Sequence, residues 1–170
     1  MRDESSFLTL AAEIRQELSG LSQLADEIPA TWSKGSALPE AERRPYVEST
    51  ALKLHNFYTA CERIFEKIAG EVNGALPQTS DWHLRLLRMM TVEVPKVRPR
   101  VLTPELAERL TELLRFRHVV RNIYGFELHE KKVEPQVDEL DGLVAAADRF
   151  RWSKAEVMRR ALRALLGIED

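Results

Sequence analysis

The chain has 170 residues, 44% of them hydrophobic and 31% charged, which suits a single domain over residues 1–170 with one continuous core. A formal net charge of −2 argues against a general nucleic-acid polyelectrolyte. The lone Cys61 excludes an internal disulfide and the N-terminus lacks a secretion pattern, so a reducing cytoplasm is expected, without a membrane span.

Apolar residues recur at helical spacing along the chain, with no useful strand pattern, so the expected fold class is all-α, a bundle of five to six helices. A first helix is predicted from about Ser6 to Glu27, with Phe7, Leu10, Ile14, Leu18 and Leu21 as its buried stripe. A loop is expected through Pro29 and Gly35. Pro39 or Pro45 then opens a second helix whose Leu52, Leu54, Phe57, Ile64 and Ile68 face inward, until Gly74 and Pro77 stop it. The third starts near Ser80 or Asp81, carries Trp82, Leu84, Leu86, Leu87, Met89 and Met90, and fails before Pro95. Thr103 followed by Pro104 starts a fourth, because the hydroxyl caps a free amide and proline occupies the first turn without wasting a donor. That helix is expected to reach about Leu128. Pro135 lies early in a fifth, and Ser153 with Glu156 makes a capping box for a sixth that ends at Gly167.

Charge is distributed unevenly. Residues 84–121 hold nine Lys or Arg against four acids, whereas the first thirty hold two Arg against six acids. A local basic site is therefore compatible with an acidic whole.

The fourth helix carries the densest chemistry. Its row Leu106, Leu110, Leu113, Arg117, Val120, Tyr124 puts an arginine in a slot that its neighbours keep apolar. Such a guanidinium must be paired or must snorkel. An acid on another helix is one partner; an anion is the other. On an adjacent strip His118, Asn122, Gly125 and His129 recur at helical spacing, flanked by Arg115 and Arg121. Three arginines and a histidine without an intervening acid suit a phosphodiester better than a solvated face, where opposite charges alternate.

Arg117-His118-Val119-Val120-Arg121-Asn122-Ile123-Tyr124 resembles the signature of HEPN proteins of the HepT-like branch, which reads Arg, four residues, His, one residue, Tyr. Arg117 and Tyr124 match, and His118 fits the polar residue that follows the arginine. Asn122 stands where the family has histidine. The Leu76-Pro77 turn, Trp82-His83 and the helical layout extend the resemblance over most of the chain. It implies a homodimeric, metal-independent ribonuclease toxin whose two signature helices meet and cut RNA in a shared cleft. The arginine would then steady charge on the phosphate and a histidine would move the proton from the ribose 2′-hydroxyl. Asn122 cannot titrate near neutral pH, which leaves it to orient the phosphate or hydroxyl. His118, one turn back, is the substitute base. Arg115 and Arg121 would bind RNA. The resemblance further implies an MNT-type nucleotidyltransferase antitoxin that attaches AMP to Tyr124, placing like charge in the cleft. A catalytically inactive partner domain for a nucleotidyltransferase or for RNA is the alternative that Asn122 keeps open, and a helical dimerisation module is a third.

On an ideal helix Arg117 and Asn122 point about 140° apart, so one copy hardly closes a site around one phosphate and a twofold pair is expected. Trp82 and His83 read as an aromatic staple with a capping neighbour, not as catalytic groups. His55, His83, His118 and His129 lack metal-ligand spacing, so neither zinc nor any cofactor is expected. Arg159, Arg160 and Arg163 opposite Val157, Leu162 and Leu165 read as a solvated face over a packed one.

Overall fold

The computed structural model describes residues 4–74, 76–78, 80–95, 97–122 and 128–144. Within them the chain forms α1 (Glu4–Ser36), α2 (Glu40–Lys67), a π-helical turn (Ile68–Asn73), α3 (Trp82–Thr91) and α4 (Pro104–Asn122). A fifth helix, α5, covers 130–144. The all-α expectation holds: among the described residues the only β-type pairing is an isolated bridge between Val94 and Arg98.

The two long helices pair as an antiparallel hairpin. Glu13 bonds Lys67 at 2.5 Å, Glu17 lies 3.6 Å from Arg63, and Glu27 pairs with Lys53, so positions rising along α1 meet positions falling along α2. Each exposed pair contributes at most about 1 kcal/mol. The register comes mainly from the apolar seam, where Leu10, Ile14, Ile28, Val47, Ala51, Leu54 and Tyr58 join one core. Gly35 lets the hairpin close, since a side chain there would collide with Tyr46.

The first helix outruns the sequence expectation. It passes through Pro29 and Gly35 without a loop, although an interior proline costs roughly 3 kcal/mol. Ile28 is fully buried and Trp32 packs against the core, so burial on both sides of Pro29 offsets the lost hydrogen bond. Leu18 and Leu52, assigned inward from periodicity, are instead exposed. The second helix starts at Glu40, with Pro39 before it and Pro45 inside it. Gly74 ends the π-helical turn at φ 78°, a conformation that favours glycine, as expected of a stop signal.

Against α2 pack α3 and α4. Thr103 Oγ1 accepts from the Leu106 N–H at 3.2 Å, the cap expected from the sequence. Between α3 and α4 the connection is fastened by Arg98, whose guanidinium is buried and donates to the carbonyls of Met89, Val92 and Pro99. One cation from the basic segment thus caps the C-terminus of α3 rather than facing a partner. Val133, Val137, Leu140 and Leu143 bring α5 into the same core. Arg109 to Glu139 at 3.1 Å and Arg43 to Glu130 at 3.2 Å tie it to α4 and α2. The described part of α4 ends at Asn122, Leu128 is not helical, and the sixth predicted helix at Ser153 and Glu156 lies outside the described residues.

Among the described residues no helix is long and apolar enough to cross a membrane. Cys61 is buried and forms no disulfide. Leu113 on α4 is 1% exposed within the core. Leu113→Ala is expected to lower the unfolding free energy by about 2–5 kcal/mol in urea denaturation, the range for a buried leucine whose cavity cannot collapse.

Candidate functional site

Four side chains meet where α2, the start of α3 and the last turns of α4 converge. Glu62 on α2 is 4% exposed. One of its carboxylate oxygens, Oε1, contacts Nδ1 of His83 on α3, and the other, Oε2, lies 3.3 Å from Nη2 of Arg117 on α4. The Arg117 guanidinium also stands over the Tyr58 ring, 5.9 Å from its centroid, a cation–π distance. Burial and then the Glu62 charge push the Tyr58 hydroxyl well above the usual tyrosine range, so it stays protonated. A buried carboxylate is costly unless both oxygens are satisfied, and here an imidazole and a guanidinium divide them.

Of the two partners that the sequence left open for Arg117, an acid on another helix is the one in the structure. The side chain is only 10% exposed, and its Nε and Nη1 are buried without an acceptor among the described residues. An Arg117 that lines an open cleft and grips a phosphate is therefore not what this single chain presents. The reason is register: the apolar row Leu106, Leu110, Leu113 continues into Arg117 and carries its stem under the surface toward Glu62.

The opposite side of α4 is open. Arg115, His118, Val119, Arg121 and Asn122 are all exposed. Arg115 pairs with Glu112 one turn back. Tyr124 and Gly125 lie outside the described residues; His129, beyond the described end of α4, is exposed.

His118 and His83 face one another edge to face, ring centroids 5.8 Å apart, and Trp82 stacks on the other side of His83 at 3.7 Å. Both histidines line a groove of about 440 Å³ between α3 and α4, with Leu87, Arg88, Thr111 and Arg115 among its walls. Its lining combines two imidazoles and two guanidiniums with the carboxylates of Asp81 and Glu108 and with apolar side chains, a groove of mixed charge with a partly apolar wall. The His118 imidazole is held below its ordinary value of 6.5, first by what burial it has, then by the positive charges of His83 and Arg117. A depressed histidine pKa favours the neutral ring, so at pH 7 His118 is an acceptor for a proton. Glu66, beside this cluster, is shifted up by burial and by Glu62.

His83 and Glu62 are the residues that sequence reading missed. His83 was read as a capping neighbour, yet the structure shows no side-chain cap on α3 and turns the ring to Glu62 instead. The available signal was Glu62 itself, an acid inside the buried run Phe57, Tyr58, Cys61, Ile64, Phe65 of α2. Among the described residues no group of three or more His, Cys, Asp or Glu could hold a metal ion.

Two outcomes are expected. Glu62→Ala leaves Arg117 buried without its counter-ion and costs about 3–5 kcal/mol in denaturant unfolding, and adding Arg117→Met recovers most of that loss. In a pH titration followed by NMR, His118 titrates below 6.5, and Arg117→Met moves its midpoint upward because one repelling charge is gone.

No curated protein and no solved structure gives a match to this chain. Residues 49–164 match the family model described as HepT-like protein. That span covers more than half of the sequence, including α3, α4 and most of α2, and it contains Glu62, His83, Arg117, His118 and Asn122. With the helical layout and the Arg117 to Tyr124 segment, it shows that the chain belongs to the HepT-like branch of the HEPN superfamily.

Proposed function

We propose that this chain is the toxin of a toxin–antitoxin pair, a homodimeric endoribonuclease that cuts RNA without a metal and is silenced when an MNT-type nucleotidyltransferase attaches AMP to Tyr124. The observation that carries the reading is the exposed strip of α4, where His118 and Asn122 stand one turn apart beside Arg115 and Arg121. A neutral imidazole there takes the ribose 2′-hydroxyl proton. The Asn122 amide orients a phosphate oxygen or the hydroxyl, and the two exposed arginines hold the backbone. Arg117 serves from below: it fixes Glu62 and adds to the burial and the His83 charge that lower the His118 pKa, while electrostatic steadying of the phosphate passes to the exposed guanidiniums. Val119, 38% exposed in the same strip, gives a second copy an apolar contact at the place where two strips would meet.

A different reading is favoured by one specific observation. Arg117 is neutralised internally and Asn122 cannot titrate, which is also what a non-catalytic domain that binds a nucleotidyltransferase or RNA would show.

Cleavage of RNA by the purified chain with excess chelator separates the two. The toxin reading expects cleavage that His118→Gln slows by roughly 10²- to 10⁴-fold, the usual worth of a general base. It also expects AMP on Tyr124 in mass spectra after co-expression with the nucleotidyltransferase. Chelator-resistant cleavage that is absent in the natural sequence and stays absent in Asn122→His would establish the binding domain instead.

A further inference from the structure

Transfer of the 2′-hydroxyl proton is half of the proton chemistry of RNA cleavage. As O2′ attacks phosphorus and the P–O5′ bond breaks, the departing 5′-oxygen must gain a proton. Among the described residues the exposed strip from Arg115 to Asn122 offers no second titratable acid: Asn122 is an amide, and Arg115 and Arg121 do not give up protons.

We propose that His83, carried by α3 and backed by Glu62, is the general acid that protonates the leaving 5′-oxygen while His118 accepts the proton from O2′. The inference rests on the ribonuclease reading above. Three observations carry it. The Glu62 carboxylate takes Nδ1 of His83, so that nitrogen bears its hydrogen and Nε2 is the one left for substrate. The two rings stand 5.8 Å apart, close enough to flank a single phosphodiester. Both line the same groove, in which Arg88 and Arg115 stand with Asp81 and Glu108.

Chemistry divides the roles. His83 has a carboxylate on its Nδ1, and His118 has no such partner among the described residues. The groups around the pair are Glu62 and Glu66 on α2, Asp81 and Trp82 at the start of α3, and Glu108, Arg115, Arg117 and Arg121 on α4. Glu62 holds His83, whereas Arg117 and Arg121 share the helix with His118. His118, neutral at pH 7 for the reasons given above, is the base. The step balances: the O2′–H proton goes to His118, P–O2′ forms, P–O5′ breaks, and the His83 Nε2 proton goes to O5′. The products are a 2′,3′-cyclic phosphate and a 5′-hydroxyl. Proton exchange with water then resets both rings, and no oxidant or co-reactant is consumed.

The experiment compares two substrates of one sequence: ordinary RNA, and RNA whose scissile 5′-oxygen is replaced by sulfur. A thiolate leaves without protonation, so it bypasses a general acid and nothing else. With the natural sequence both are cut in the presence of chelator. His83→Gln is expected to slow cleavage of ordinary RNA about 100-fold or more while leaving the 5′-thio substrate within a few-fold, whereas His118→Gln slows both. Because both rates come from the same sample, a reduced folded fraction lowers them together and cannot imitate the selective loss. Should His83→Gln give no folded protein, Glu62→Gln carries the same comparison and is expected to show the same selectivity at smaller amplitude. Equal slowing of both substrates, or no slowing of either, overturns the assignment of His83 and leaves the ribonuclease reading standing. A natural sequence that cuts neither substrate overturns both.

Discussion

One buried carboxylate organises the molecule. Glu62 takes an imidazole on one oxygen and a guanidinium on the other, and those partners arrive on two further helices. Taking an uncompensated carboxylate out of water costs several kcal/mol, so α3 and α4 are held to the registers in which both partners reach it. The apolar contacts among Leu86, Leu87, Leu110, Leu113 and Leu114 supply most of the cohesion. They tolerate a slide of the helices better than a bidentate carboxylate does, and the ion cluster therefore specifies the arrangement that the core stabilises. Because His118 follows Arg117 directly, fixing Arg117 inward also fixes where His118 emerges at the groove.

The same interaction redistributes the basic segment. Read as a sum, residues 84–121 look like a positive patch, but Arg98 is spent on carbonyls at the end of α3, Arg117 on Glu62 and Arg109 on Glu139. The arginines at the surface are Arg85, Arg88, Arg100, Arg115 and Arg121. Arg88 and Arg115 flank the groove with the two histidines, and Asp81 and Glu108 share its lining. A field built from a few exposed guanidiniums around a partly apolar groove is directional in a way that a uniformly basic helix is not.

How much of this the sequence disclosed depends on the range over which each signal acts. Helix starts and stops are local chemistry, and Thr103 with Pro104, Gly74 and the region before Pro95 behave as their side chains dictate. Pro29 misled because its local penalty is outweighed by burial of Ile28 and Trp32 against α2, a contact that no window around Pro29 contains. Leu18 and Leu52 misled for a related reason: apolar spacing says which residues share a face and leaves open how far the covering helix extends. Arg117 was legible as a buried cation. Its partner was not, because Glu62 sits on another helix, although an acid in the apolar run of α2 and a base in the apolar run of α4 are each out of place alone and make sense only as a pair. His83 was hidden by proximity, since a helix start next to a tryptophan has an ordinary structural explanation that the coordinates do not support.

Helix geometry also explains why the signature position can hold asparagine without stripping the strip of titratable chemistry. Residues five apart on an α-helix point about 140° away from each other, so an arginine and a polar residue at the spacing of Arg117 and Asn122 hardly close around one ligand from a single chain. Here the inward direction is taken by Arg117 and the outward one by Asn122, and the roles separate: one residue secures the bundle, the other meets solvent. Residues four apart diverge by only about 40°, which puts His118 on the face of Asn122 one turn earlier. An imidazole displaced by one helical turn stays on the open face, gains His83 as a neighbour across the groove, and is lowered in pKa by burial first and then by the charges of His83 and Arg117. With an amide at position 122, the imidazoles of this region gather at the other end of the strip, where His118 faces the ring that Glu62 holds on α3.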